Sequence, residues 1–89
     1  MIKTGIDITE ISRFSQMKNI EVFKKHVFTL RERHYFDGMK NPFNSIAAAF
    51  AAKEAFAKYM GSGFRGFGPR DIEILHDELG KPYILFMRK

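Results

Sequence analysis

Residues 43–61 read FNSIAAAFAAKEAFAKYMG, the longest helical pattern in a chain of 89 residues. The run Ala47-Ala48-Ala49-Phe50-Ala51-Ala52 puts the strongest helix former at five of six positions. The spacing predicts a helix from about Phe43 or Asn44 to Met60, with Gly61 ending it in the left-handed conformation. Ile46, Phe50, Ala57 and Met60 form its expected buried stripe, and Lys53 falls among them. Its small side chains leave room for a neighbouring strand to approach closely. Lys40-Asn41-Pro42 is a break ahead of it.

Toward the N-terminus the patterns are shorter. Ile2–Ile8 alternates as a strand, with Gly5 inside it as a point of close approach. Thr9 is the expected cap of a helix over Glu10–Gln16, in which Ile11 and Phe14 pair at i,i+3. Asn19 would cap a second helix carrying Ile20, Phe23 and Val27. Thr29-Leu30-Arg31-Glu32 is a capping box opening a third, which runs through Tyr35 and Phe36 and stops near Asp37-Gly38. After the long helix, 61–69 is a glycine-rich loop. Asp71–His76 then reads as a strand with Ile72 and Ile74 inward and Glu73 outward. Asp77-Glu78-Leu79-Gly80 turns into a second strand, Lys81–Met87, completing a hairpin. The order predicts one α+β domain over 1–89, its small antiparallel sheet covered on one face by the long helix.

Composition sets the outer limits. Hydrophobic residues make up 45% and charged residues 28%, the profile of an ordinary globular domain. Ten Phe and three Tyr supply the large core side chains. No apolar run is long enough to span a bilayer, and the first residues lack a signal-peptide layout, so the expected location is the cytoplasm, with no membrane partner. There is no cysteine, hence no disulfide framework and no thiolate metal site. The net charge of +5 suits a polyanionic partner: nucleic acid, a phosphorylated small molecule or an acidic protein.

Several chemical motifs fail on context. Gly61-Ser62-Gly63-Phe64-Arg65-Gly66 matches a dinucleotide fingerprint by letter, but it follows a helix where the fingerprint must follow a strand. His26, His34 and His76 show no paired ligand spacing. Phe64-Arg65-Gly66-Phe67 has the residue types to stack nucleic-acid bases, yet a loop with half-buried phenylalanines is the commoner outcome, and no nucleic-acid partner is expected. Carboxylates remain. Asp7 ends the first strand and Glu54 stands mid-helix, a pair of hard oxygen ligands of the kind Mg²⁺ takes together with waters and a phosphate. Lys58 lies four residues beyond Glu54, where an ordinary surface ion pair is the simpler reading.

Gly5-Ile6-Asp7, followed after some forty residues by Phe50-Ala51-Ala52-Lys53-Glu54-Ala55-Phe56-Ala57-Lys58, resembles the holo-acyl-carrier-protein synthase family. These are 4′-phosphopantetheinyl transferases of bacterial fatty-acid biosynthesis. The likeness extends through Asp7–Arg13, through Asp71-Ile72-Glu73-Ile74 and through Gly80-Lys81-Pro82, and so covers nearly the whole chain. It implies Mg²⁺-dependent transfer of the phosphopantetheine arm of coenzyme A to a carrier-protein serine, releasing 3′,5′-ADP. It also implies a homotrimer with active sites between subunits. Asp7 and Glu54 would hold Mg²⁺, and with Lys58 would form the catalytic set. Lys58, Gly61, Gly63, Gly80, Lys81 and Pro82 would bind coenzyme A; Arg13, Lys24 and Lys25 would face the acyl carrier protein. Two positions depart from the family pattern, and a further motif is not matched. Ala49 stands where relatives commonly carry an Arg that binds a coenzyme phosphate, and His26 where they often carry Arg. The family also continues past the hairpin to a Ser-x-Ser/Thr-His motif not found in these residues. A degenerate relative that binds an acidic carrier protein without catalysis is the alternative.

Overall fold

The computed structural model describes residues 8–61 and 66–87, with side chains from 11 onward. Helices α1 (Ile8–Ser15), α2 (Ile20–Val27), α3 (Leu30–Asp37) and α4 (Phe43–Tyr59) come first. A 3₁₀ turn at Pro69–Asp71 then leads into β1 (Ile72–His76) and β2 (Pro82–Phe86). The molecule is α+β, as expected. The expected strand at Ile2–Ile8 falls outside the described residues except for Ile8, which opens α1. That helix begins two residues before the sequence reading, within the usual uncertainty of helix ends.

Local chemistry accounts for most boundaries. The Thr29 hydroxyl accepts the Glu32 N–H at 3.2 Å, and the Glu32 carboxylate accepts the Thr29 N–H at 2.8 Å, the reciprocal capping box. Asn19 occupies the N-cap of α2, but its side chain makes no capping bond; its carbonyl accepts the Phe23 N–H at 3.0 Å. α4 ends at Gly61, whose φ of +84° favours glycine. The hairpin turn is held by Asp77, whose carboxylate accepts N–H bonds from Leu79 and Lys81, both at 2.9 Å, while Gly80 takes φ +82°. The strands pair antiparallel, with Ile74 opposite Ile84 and His76 opposite Pro82.

The core is a chain of phenylalanine rings. Phe14 meets Phe23 at 5.3 Å, Phe23 meets Phe50 at 5.5 Å edge-on, and Phe28 meets Phe36 at 5.0 Å edge-on. Such tilted contacts add to the ~1.5–3 kcal/mol that a fully buried large apolar side chain contributes. A second cluster of Ala57, Phe67 and Ile72, with Phe56 and Phe86 against it, seats the hairpin on α4. The long helix thus covers one face of the sheet, as expected, and α1 packs along it as well.

Two burial expectations need correction. Met60, expected in the buried stripe, is 41% exposed, because α4 has reached its C-cap there. Glu73, expected outward, is 2% exposed, because the start of α3 lies over that face of β1. β2 is apolar on both faces, a pattern that calls for cover on both. Among the described residues β2 pairs only with β1, and Tyr83, Ile84 and Leu85 are exposed.

Candidate functional site

Three residues of α4 divide the work of the candidate site. Lys53 points inward and is fully buried, while Glu54 and Lys58 are exposed on the outer side, one turn apart. The simpler expectation for these two, a surface ion pair, is not met: no salt bridge joins them. Among the described residues nothing is bonded to the Glu54 carboxylate, which leaves it available to a cation or a hydroxyl. Asp7, the other expected Mg²⁺ ligand, lies outside the described residues. So does Gly63 of the expected coenzyme set.

Among the described residues no three His, Cys, Asp or Glu side chains form a ready metal cage. Mg²⁺ commonly takes one or two carboxylates and completes its shell with water and substrate phosphate. Glu54 fits such a role by chemistry and exposure. Lys58, near the C-terminal end of the same helix, suits the neutralisation of a phosphate.

Beneath this face lies a polar hub. The Lys53 Nζ donates to Glu32 Oε1 at 2.6 Å and to the carbonyls of Ile72 (2.7 Å), Val27 (2.9 Å) and Pro69 (2.9 Å). It also lies 5.0 Å from the Phe28 ring centroid. Three N–H donors serve four oxygens, so one bond is shared. Burial pushes the Lys53 ammonium below its ordinary value, while the Glu32 hydrogen bond and charge pull it back up. Glu32 Oε2 in turn accepts the Ile74 N–H at 2.7 Å. Next to it, Glu73 accepts from the Thr29 hydroxyl at 2.6 Å and from Arg31 at 2.6 and 3.2 Å. Burial works against the Glu73 carboxylate, but those bonds and the charges of Arg31 and Lys53 outweigh it and hold its pKa below the usual range.

The hub was missed as a unit in the sequence. Its signal was there: a lysine on an apolar helical stripe must find an anion, and the capping-box glutamate is the one it finds.

Between α3, α4 and the hairpin runs a groove of about 200 Å³, lined by Ser45, Ala49, Ala52, Tyr35, His76 and Pro82 among others. The Tyr35 and His76 rings stack in it, 4.2 Å apart and 11° from parallel. Of the expected coenzyme residues, Pro82 lines the groove, Gly80 and Lys81 lie at the exposed turn beside it, and Gly61 ends α4. Ala49, at the departure from the family pattern, forms part of the groove floor.

The expected carrier-protein face is only partly assembled. Arg13 is exposed, its guanidinium over the Phe14 ring at 5.1 Å and near Phe50 at 5.9 Å. Lys25 is exposed on α2. Lys24 does not stand outward with them. It is buried, with Nζ 3.0 Å from Glu21 and 3.7 Å from Asp37, because α2 turns that side toward α3.

A family model described as the 4′-phosphopantetheinyl transferase superfamily matches residues 3–89, and the chain belongs to that superfamily. The relatives within it are the group that the Asp7 and Lys53-Glu54 motifs resembled. The holo-(acyl-carrier-protein) synthase of Clostridium botulinum strain Eklund 17B is 51% identical over 81 residues, covering 90% of this chain and 66% of its own length. That of Alkaliphilus oremlandii is 49% identical over 86 residues, covering 94% and 70%. The chain therefore spans about two thirds of the length of these curated relatives. Among solved structures, the holo-(acyl-carrier-protein) synthase of Neisseria meningitidis superposes with TM-score 0.75 at 38% identity, over 91% of this chain and 65% of its own. The Bacillus anthracis enzyme, in complex with CoA (3′,5′-ADP), gives 0.67 at 33% identity, over 91% and 71%.

Proposed function

We propose that this protein transfers the 4′-phosphopantetheine arm of coenzyme A to a serine of an acyl carrier protein, as a holo-acyl-carrier-protein synthase. The observation that carries the reading is the outward Glu54 and Lys58 pair, held on a helix anchored by Lys53 in a chain of this superfamily. The serine oxygen forms a bond to the phosphorus that bears the pantetheine arm, the bond to the leaving phosphate breaks, and 3′,5′-ADP departs. Such a step needs positioning and charge neutralisation more than covalent help from the protein. Glu54 positions the serine hydroxyl or takes up its proton, and Lys58 offsets phosphate charge. Asp7 and Glu54 would hold Mg²⁺, which when bound supplies a Lewis acid for the pyrophosphate oxygens.

The apolar groove with its stacked rings suits the adenine, with Gly80, Lys81 and Pro82 at its edge. Gly61, just beyond α4, would border the phosphates; Gly63 would join it by the family resemblance. Arg13 and Lys25, both exposed, would supply positive charge for an acidic carrier protein, whereas Lys24 is buried and faces α3. The exposed apolar β2 supports a homotrimer. No described helix is long and apolar enough to cross a membrane, and a chain without cysteine needs no oxidising compartment, which supports action in the cytoplasm.

One observation favours a second reading. Ala49 leaves the groove floor without the cation that the family pattern places there, as in a relative that binds carrier protein but does not turn over. Mass spectrometry of an acyl carrier protein incubated with this chain, coenzyme A and Mg²⁺ separates the two. Transfer predicts a carrier heavier by the phosphopantetheine arm; an unmodified carrier that still binds the chain supports the second reading and overturns the first.

A further inference from the structure

α4 packs Phe43, Ile46, Phe50 and Phe56 against the core, but the turns around Lys53 are mostly methyl groups. Seven of its residues between Ala47 and Ala57 are alanine, and methyl groups present nearly the same surface at neighbouring rotations. Lys53 adds the directional, hydrogen-bonded constraint there. Its four oxygen partners belong to the last residue of α2, to α3, to the 3₁₀ turn and to the first residue of β1. A slide or rotation of the helix would break several of these bonds at once. Glu54 is the next residue along, and Lys58 lies one turn further on.

We infer that Lys53 is a positioning residue for the transfer reaction: its buried ammonium sets the rotation and register of α4, and so the place of the Glu54 carboxylate and the Lys58 ammonium. The inference rests on the transferase reading for its catalytic consequence, but the placement of the helix can be measured without it. A buried ion pair that served stability alone could be replaced by neutral groups of similar size at little cost. The double variant Lys53→Met/Glu32→Gln removes both charges together and leaves no isolated buried ion.

The expected result is a folded protein whose kcat for transfer falls about a hundredfold, the scale of an ångström-sized misplacement of reacting groups. KM for the carrier protein should stay within about twofold, because Arg13 and Lys25 stand on α1 and α2. Val27→Ala serves as the stability control: it trims the core on α2, keeps the Val27 carbonyl that Lys53 uses, and should lower Tm without lowering kcat. The absence of cysteine permits a second readout. Spin labels at Val22→Cys and Tyr59→Cys, both exposed, report the distance between α2 and the end of α4. That distance should shift or broaden in the double variant and stay single and narrow in Val27→Ala. An unchanged distance distribution, retained kcat in the double variant, or an equal loss of kcat in Val27→Ala would overturn the inference. If the parent chain transfers nothing, the transferase reading falls and the label distances alone decide the role of Lys53.

Discussion

At Lys53 and Glu54 two adjacent side chains leave α4 roughly 100° apart, one bonded into the fold and the other open to solvent. Glu54→Gln keeps the shape of the outward side chain and removes its charge. We expect kcat to drop ~10²–10³-fold, the scale of losing one group that stabilises developing charge. The fold should be untouched, since the structure gives Glu54 no described bond to break. Parental activity in that variant, by the mass-spectrometric assay, would remove Glu54 from the chemistry. Ala49 invites the opposite experiment. Ala49→Arg restores a cation at the groove floor and should lower KM for coenzyme A by about tenfold, a charge-assisted contact to phosphate being worth a little over a kilocalorie per mole. Dephospho-coenzyme A should gain less. Equal gains for both ligands would show that the new cation does not meet the 3′-phosphate.

The start of α3 shows what one short element can organise. Its capping box was legible as Thr29-x-x-Glu32, because the pattern satisfies helix-end N–H groups whatever surrounds it. What lay hidden was that Glu32 also serves Lys53 and the Ile74 N–H, and that Glu73 turns in to meet Thr29 and Arg31. Period-two alternation assigns Glu73 to solvent; only the tertiary approach of α3 reverses the assignment. This cluster makes the fold sensitive to acid. The folded pKa of Glu73 lies below its ordinary 4.5. The stability it contributes is therefore complete above that value and is lost as pH falls through the lower folded value. Urea midpoints measured from neutral to acid pH should fall more steeply for the parent than for Glu73→Gln. Parallel curves would show that Glu73 has the same proton affinity folded and unfolded.

For the molecule as a whole, the helices and hairpin were readable from spacing, but spacing does not say what covers β2. Among the described residues β2 pairs only with β1, and its Tyr83, Ile84 and Leu85 are 39–46% exposed, an edge that is a template for another strand. We expect the protein to self-associate, and Leu85→Lys to weaken that association. Leu85 stands opposite Glu73 in the hairpin register, so the new cation is tolerated in the folded monomer. Light scattering after size-exclusion chromatography should give a mass above that of the monomer for the parent and a lower one for the variant. A monomeric parent at micromolar concentration would leave β2 without the proposed subunit contact.

The lysine at the centre of α4 also bears on the time course of folding. Its four bonds reach across 16 to 26 residues of sequence, whereas the capping box and the Asp77 turn close over two to four. Local turns of that kind can form early, but an ammonium cannot leave water until all of its oxygens have arrived. The desolvation of Lys53 is then expected late in assembly; stopped-flow kinetics of Lys53→Met/Glu32→Gln should show faster unfolding with a nearly unchanged folding rate, and the reverse would refute it. Contacts made after the transition state slow unfolding more than they hasten folding. The buried charge would therefore act chiefly as a latch on the lifetime of the folded chain.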